Sequence, residues 1–427
     1  MQDWFLDARL GIFIHWGIYS AGDWSESWAF FNNEVDYDTY MAQAATFTAD
    51  RYDPEAWADA FAAAGARYAV LTTKHHDGFA LWPTRQSRLN AVEGSPAGRD
   101  LVGPFCDALR RRGLKVGLYF SHLDWSHPDY ASILPQGAQP HSHGSMHANR
   151  FGYPQEGEDP AAWDRFLAFH RAQLTELCEA YQPDLLWFDG DWERDPEQWR
   201  FQELRDMLHS LNPNVVLNSR MGGYGDYNTP EQAIPITPPN GPWEFCVTMN
   251  DSWGYQKRDH NHKSVRQCIR MLAECAGMGG NLLLDVGPHS DGSFQPEQAE
   301  TLQGLARWTA TNEHAIFNTE RGLPHGHFYG VTTLSKDHTR LYAITFDRPN
   351  GSLCVKGIRN TIASVRTMDG TELAHRKIGG AQWAGLPGEL WIDIPDEALD
   401  PDATAIEIAL EGSLDLYSGS GDHATTA

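Results

Sequence analysis

Short apolar runs alternate with segments of helical period from the start of the chain to about Phe317. The runs are GIFIHW (Gly11–Trp16), YAVLTT (Tyr68–Thr73), LKVGLYFS (Leu114–Ser121), DLLWFD (Asp184–Asp189), NVVLNSR (Asn214–Arg220), EFCVTMN (Glu244–Asn250) and NLLLDVGP (Asn281–Pro288). They are too short for helices and apolar on both faces, which predicts strands buried on both sides, as in a parallel sheet. In DPEAWADAFAAAGA, Asp53 is a predicted N-cap and Pro54 the first helical residue, with Trp57, Phe61 and Ala64 on one face. DLVGPFCDALRRRG ends in basic residues and a glycine, the chemistry of a helix C-terminus. Further helices are predicted over about 161–181, 196–211, 264–277 and 295–312.

This alternation predicts an α/β fold, a (β/α)8-like barrel with seven clear strands and a degenerate eighth unit. After Phe317 the period changes to two, with turn residues such as RPNG and MDGT between the runs, which predicts an antiparallel β-sandwich. The expected domains are a catalytic barrel over 1–325, a C-terminal sandwich over 326–413 and a flexible tail over 414–427. An insertion rich in His, Pro, Gly and Ser runs from Asp124 to about Asp159.

Composition narrows the function. The chain carries 57 acidic against 33 basic residues, a net charge of −24, which argues against nucleic acid or an anionic membrane as partner. No apolar run is long enough to span a bilayer, so no membrane insertion is expected. No signal peptide is visible; the expected compartment is the cytoplasm as the sequence stands, or the periplasm or exterior if a leader was trimmed. The six cysteines form no C-x-x-C pair and read as buried free thiols. Sixteen tryptophans suit a protein that stacks rings on sugars, although most tryptophans fill cores.

Polar residues gather at the carboxyl ends of the predicted strands, where barrel enzymes keep their active sites. They are His15; Lys74, His75, His76 and Asp77; Tyr119, His122, Asp124 and Trp125; Trp187 and Asp189; Asn218 and Arg220; then Asp226 and Glu231. Adjacent His75 and His76 diverge on a strand and the first strand lacks H-x-H, so no metal is expected. No G-x-S-x-G elbow is present. Paired carboxylates fit best, since glycoside hydrolysis needs one acid for the leaving oxygen and one carboxylate opposite it.

At these residues the chain resembles a known family. GIFIHWGIYS, YAVLTTKHHDGFALWPT, GLKVGLYFSHLDWSHPDY, LLWFDGDW, GDYNTPE and GGNLLLDVGPHSDG are similar to the α-L-fucosidases of glycoside hydrolase family 29. The resemblance implies a retaining exo-glycosidase that releases terminal α-L-fucose through a glycosyl-enzyme intermediate, on a barrel followed by a β-sandwich. It implies Asp189 as nucleophile, with Asp191 in a supporting place. It implies Glu231 as acid/base, with Glu244 its rival. His15, His75 and His76 match hydroxyl-binding histidines, Trp28 and Trp187 match pocket aromatics, and Tyr119 and Arg220 match neighbours of the nucleophile. Relatives show Glu-Trp-Tyr in the first loop; here SESWAFF displaces Glu26 by one residue, which puts its sugar contact in doubt.

Lys74 is expected to be an ion-pair partner, Trp125 and Trp192 loop packing, and Asp285 a supporting residue. Two other functions stay open on the sequence: a non-catalytic fucose- or glycan-binding protein, and a retaining exo-glycosidase for a related sugar such as α-L-galactose. The expected partner is a fucosylated oligosaccharide or glycoconjugate, without cofactor, with a homo-oligomer left open.

Overall fold

The computed structural model describes residues 1–32, 34–130 and 159–420. The seven apolar runs become β1 (Leu10–Ile14), β2 (Tyr68–Lys74), β3 (Lys115–Ser121), β4 (Leu185–Asp189), β5 (Val216–Leu217), β6 (Glu244–Thr248) and β7 (Asn281–Val286). They form one parallel sheet in the order β5-β4-β3-β2-β1-β7-β6. Nearly every residue in them is buried, which is why the runs carry no polar alternation.

Side chains on a strand point alternately to its two faces. Ile12, Ile14, Leu71, Leu118, Leu186 and Phe188 belong to the large core shared with the helices. Phe13, Tyr68, Val70, Tyr119, Leu185, Trp187 and Leu283 form a separate, aromatic-rich cluster on the other face. Two residues further along, the same alternation carries the chain from Phe13 to His15 and from Trp187 to Asp189. Both polar residues therefore stand over the aromatic cluster at the carboxyl edge.

The helices between strands begin as the sequence predicts. Asp53 accepts hydrogen bonds from the Glu55 and Ala56 N–H groups to start Pro54–Ala63, and a Ser264–Gln267 capping box starts Val265–Gly277. Pro160–Tyr181 and Pro296–Ile316 each carry a proline in the first turn. Between β5 and β6, residues 227–231 make isolated parallel bridges, Asn218 with Tyr227, Asn228 with Trp243 and Glu231 with Cys246.

The C-terminal part has two antiparallel sheets. β8 (Thr319–Arg321), β9 (Val331–Ser335), β10 (Arg340–Thr345), β12 (Ile362–Thr367) and β15 (Thr404–Leu410) form the larger, and β11 (Leu353–Val355), β13 (His375–Ile378) and β14 (Glu389–Ile392) the smaller. One buried cluster draws on both, joining Leu341, Val365 and Ile406 to Val355, Leu390 and Ile392. β8 starts before the expected boundary at 325 and pairs with β9. Where a flexible tail was expected from 414, the Leu414 N–H donates to the His338 carbonyl and Leu416 bridges Ile358. Most of the expected insertion, residues 131–158, and residues 421–427 lie outside the described residues. Among the described residues no helix is long and apolar enough to cross a membrane, and the six cysteines are free, five of them buried.

Candidate active site

At the carboxyl edge of the parallel sheet lies a pocket of about 190 Å³. Its wall contains His15, Trp28, His75, Tyr119, Trp187, Asp189, Arg220 and Glu231 from the sequence-based set, together with Phe13, Glu26, Trp192 and Trp253. Asp189 is the last residue of β4. Gly190 follows at φ +86°, where a Cβ would stand 2.4 Å from Leu123 Cγ, so glycine is required for the turn that ends the strand beneath the pocket.

Two groups hold the Asp189 carboxylate, and a third stands beside it. Arg220 Nη1 donates to Oδ1 at 2.5 Å, and the Tyr119 hydroxyl donates to Oδ2 at 3.0 Å. His76 Nε2 lies 3.6 Å from Oδ2. The second nitrogen of the Arg220 fork donates to Glu231 Oε2, so one guanidinium bridges two carboxylates. It also lies over the Trp187 ring, 4.7 Å from the centroid. Arg220 and Glu231 come from the stretch after β5, Arg220 from a turn and Glu231 from an isolated bridge to Cys246, and both line the pocket.

The histidines are set from behind. His15 Nδ1 meets Asp285 Oδ1 at 2.7 Å, and burial pushes the His15 pKa well down. Ser27 Oγ accepts the Asp77 N–H at 2.9 Å and lies 2.6 Å from His75 Nδ1. The hydroxyl thus ties the His75 ring to the Asp77 backbone and fixes its orientation. His76 Nδ1 lies 2.6 Å from Ser121 Oγ. His76 itself is outside the pocket wall, under Trp28 and Trp192.

Glu244 takes a different place from Glu231. It is fully buried inside the aromatic cluster, accepting hydrogen bonds from the Tyr68 hydroxyl at 2.5 Å, Trp187 Nε1 at 2.8 Å and the Tyr227 hydroxyl at 3.3 Å. Burial raises its pKa to about 7. Glu231 instead lines the pocket with its side chain 37% exposed.

Glu26 is the clearest surprise. Although displaced by one position, it lines the pocket, accepting the Gly254 N–H at 3.4 Å, and burial raises its pKa to about 7. Ser27 beside it adopts φ +41°, a kink that no sequence motif announces. Trp192, expected to be loop packing, also lines the pocket and stacks on Trp28 at 6.1 Å. Trp253 belongs to no periodic segment and carries no signal in the sequence. Three expectations agree with the geometry. Lys74 pairs with Asp124 at 3.3 Å, Trp125 stacks on Phe31 at 3.9 Å, and Asp191 accepts the Gly222 N–H at 3.0 Å.

Among the described residues, His75, His76 and Asp189 form the one group with metal-ligand spacing. The donor set fits poorly, because the Asp189 carboxylate is already taken by the Arg220 guanidinium and the Tyr119 hydroxyl, and a second cation there would stand beside the first. A ring N–H beside carboxylate oxygens suits a hydroxyl, which both donates and accepts.

The profile of the α-L-fucosidase family matches residues 1–314. Tissue α-L-fucosidase of Homo sapiens is 32% identical over 441 residues, covering 95% of this chain and 87% of that protein. The structure of α-L-fucosidase isoenzyme 1 from Paenibacillus thiaminolyticus superposes with TM-score 0.85 at 33% identity, covering 96% of this chain and 98% of that one. A family 29 α-L-fucosidase from Bacteroides thetaiotaomicron, described as a trapped covalent intermediate with 2-fluoro-fucosyl fluoride, superposes with TM-score 0.81 at 26% identity, covering 96% and 95%.

Proposed function

The chain belongs to the α-L-fucosidases of glycoside hydrolase family 29, and from that premise we propose how its own residues carry out the reaction. It is a retaining hydrolase that releases terminal α-L-fucose. In our reading Asp189 attacks the anomeric carbon and Glu231 protonates the departing glycosidic oxygen. Glu231 then takes a proton from water, which releases fucose with net retention.

The observation that carries this reading is the Arg220 guanidinium, bound to Asp189 at 2.5 Å and to Glu231 within one pocket. A shared cation bound to both side chains holds the two carboxyl groups at a fixed spacing. Glu244 has no path to a leaving oxygen, because its hydrogen bonds are spent behind Trp187. We assign it to the floor of the pocket. His15 and His75 serve the sugar hydroxyls, His76 stands behind the wall beside Asp189 instead of reaching the sugar, and Trp28 and Trp187 serve the apolar faces and methyl group. No metal or cofactor is part of this reading.

Residues 227–231 are taken as the degenerate eighth strand of a (β/α)8-like barrel over 1–325, supported by their parallel bridges to both neighbours. The sheets within 326–413 are taken as a β-sandwich, with β8 lent to it by the first domain. The substrate is a fucosylated oligosaccharide or glycoconjugate. Nucleic acid does not fit the charge of −24.

The test is hydrolysis of 4-nitrophenyl α-L-fucoside by the wild type and by Asp189→Ala with added azide. Loss of activity in the variant, restored as β-fucosyl azide, supports the assignment. Unimpaired hydrolysis by Asp189→Ala overturns it.

A further inference from the structure

One buried histidine touches the backbone of both Asp189 and Arg220. His122 directly follows β3. Its backbone N–H donates to the Asp189 carbonyl at 2.8 Å. Its imidazole Nε2 lies 3.0 Å from the Arg220 carbonyl oxygen. On the far side, its Nδ1 lies 3.1 Å from His170 Nε2, and His170 Nδ1 lies 3.0 Å from Arg171 Nη1.

The protons along this chain have a single arrangement. A guanidinium only donates, so His170 Nδ1 accepts. A neutral imidazole carries one proton, so His170 Nε2 donates to His122 Nδ1. His122 then holds its proton on Nε2 and donates it to the Arg220 carbonyl, which only accepts. The chain runs from a pure donor to a pure acceptor, and no bond in it can reverse without breaking another. Burial favours the neutral form of both rings. The ring planes are fixed as well: His122 stacks on Phe188 at 4.6 Å and 9°, and the Arg171 fork is anchored on the Trp199 carbonyl.

We propose that His122 is a positioning residue for the Asp189–Arg220 pair, held in its working tautomer by His170 and Arg171. The inference rests on the roles given above to Asp189 and Arg220. Asp189 ends β4, whereas Arg220 lies on a separate loop after β5. A single residue bonded to both backbones sets the spacing at which the guanidinium meets the carboxylate. Misplacing a reacting group by about 1 Å costs on the order of 100-fold in rate.

The experiment pairs His122→Phe with His122→Gln. Phenylalanine keeps the stacking and the backbone bond to Asp189 and loses the two imidazole bonds, to His170 and to the Arg220 carbonyl; the glutamine amide restores one acceptor and one donor. On 4-nitrophenyl α-L-fucoside, His122→Phe is expected to lose about 10- to 100-fold in kcat with KM changed less, and His122→Gln to recover most of it. Equal loss in both variants, or wild-type kcat in His122→Phe, overturns the proposal. Should His122→Phe not fold, neutron diffraction from a perdeuterated wild-type crystal decides. Deuterium on Nε2 of both His122 and His170 supports the chain, and deuterium on Nδ1 of either ring refutes it. That readout does not depend on activity, so it stands apart from a failure of the assignment of Asp189.

Discussion

The Trp187 indole donates to Glu244 at 2.8 Å. This bond makes one of two candidate glutamates part of the pocket floor, and in the proposed mechanism Glu231 is then the acid that faces the leaving group. Glu231→Gln is expected to lower kcat/KM about 100- to 10,000-fold on substrates with poor leaving groups. Glu244→Gln, which can still accept from Trp187, is expected to stay within about 10-fold of wild type. Steady-state kinetics on a fucosylated oligosaccharide separates the two.

Arg220 supports both carboxylates, so its loss should cost more than one ion pair at the surface. Arg220→Met leaves Asp189 and Glu231 without their shared cation in a site where the Arg220 side chain is only 18% exposed. Breaking such a pair from one side costs about 3–5 kcal/mol of stability, and it frees two reacting groups from a spacing whose error of about 1 Å costs on the order of 100-fold in rate. Arg220→Met should therefore lose at least about 100-fold in kcat/KM, and Arg220→Lys, which keeps charge without the fork, should fall between. The check is kcat/KM for both variants.

Asp285 holds His15 by its Nδ1 atom at 2.7 Å. Asp285→Asn should raise KM about 10-fold, the scale of one hydrogen bond to a charged group, with a smaller change in kcat. Equal loss in kcat and kcat/KM would mean that His15 acts in the transition state alone.

Glu244 also makes a pH prediction. Burial raises its pKa from 4.5 to about 7 in the folded protein. Below about pH 4.5 the proton is bound in both folded and unfolded chains. Between there and about 7 the unfolded chain releases it while the folded one keeps it, so stability falls as pH rises through that window. The loss amounts to about 3 kcal/mol at most, and Glu26, also raised to about 7, adds to it in the same direction. Glu244→Gln should flatten the decline of Tm between pH 5 and 7.5.

Much of this was legible in the residues themselves. β1 and β4 are short and apolar on both faces, so their burial could be read directly. Continuing the alternation by two residues placed His15 and Asp189 at the edge. Other features were hidden for physical reasons. The bridged segment from Tyr227 to Glu231 reads YNTPE, which has no apolar run, and its contacts are isolated bridges rather than a ladder. Glu231 and Glu244 look equivalent in sequence; only the three buried donors around Glu244 tell them apart. Glu26 reaches the pocket beside a kink at Ser27, and Trp253 sits in a loop with no periodic pattern to announce it.

The measurement that bears most directly on the central claim is covalent trapping. The wild-type protein is incubated with 2-fluoro-fucosyl fluoride, digested, and the modified peptide sequenced by mass spectrometry. The account predicts a single fluorofucosyl label on Asp189, within the segment LLWFDGDW. A label on Glu26 or another carboxylate, or turnover to the inverted sugar without any label, would contradict it.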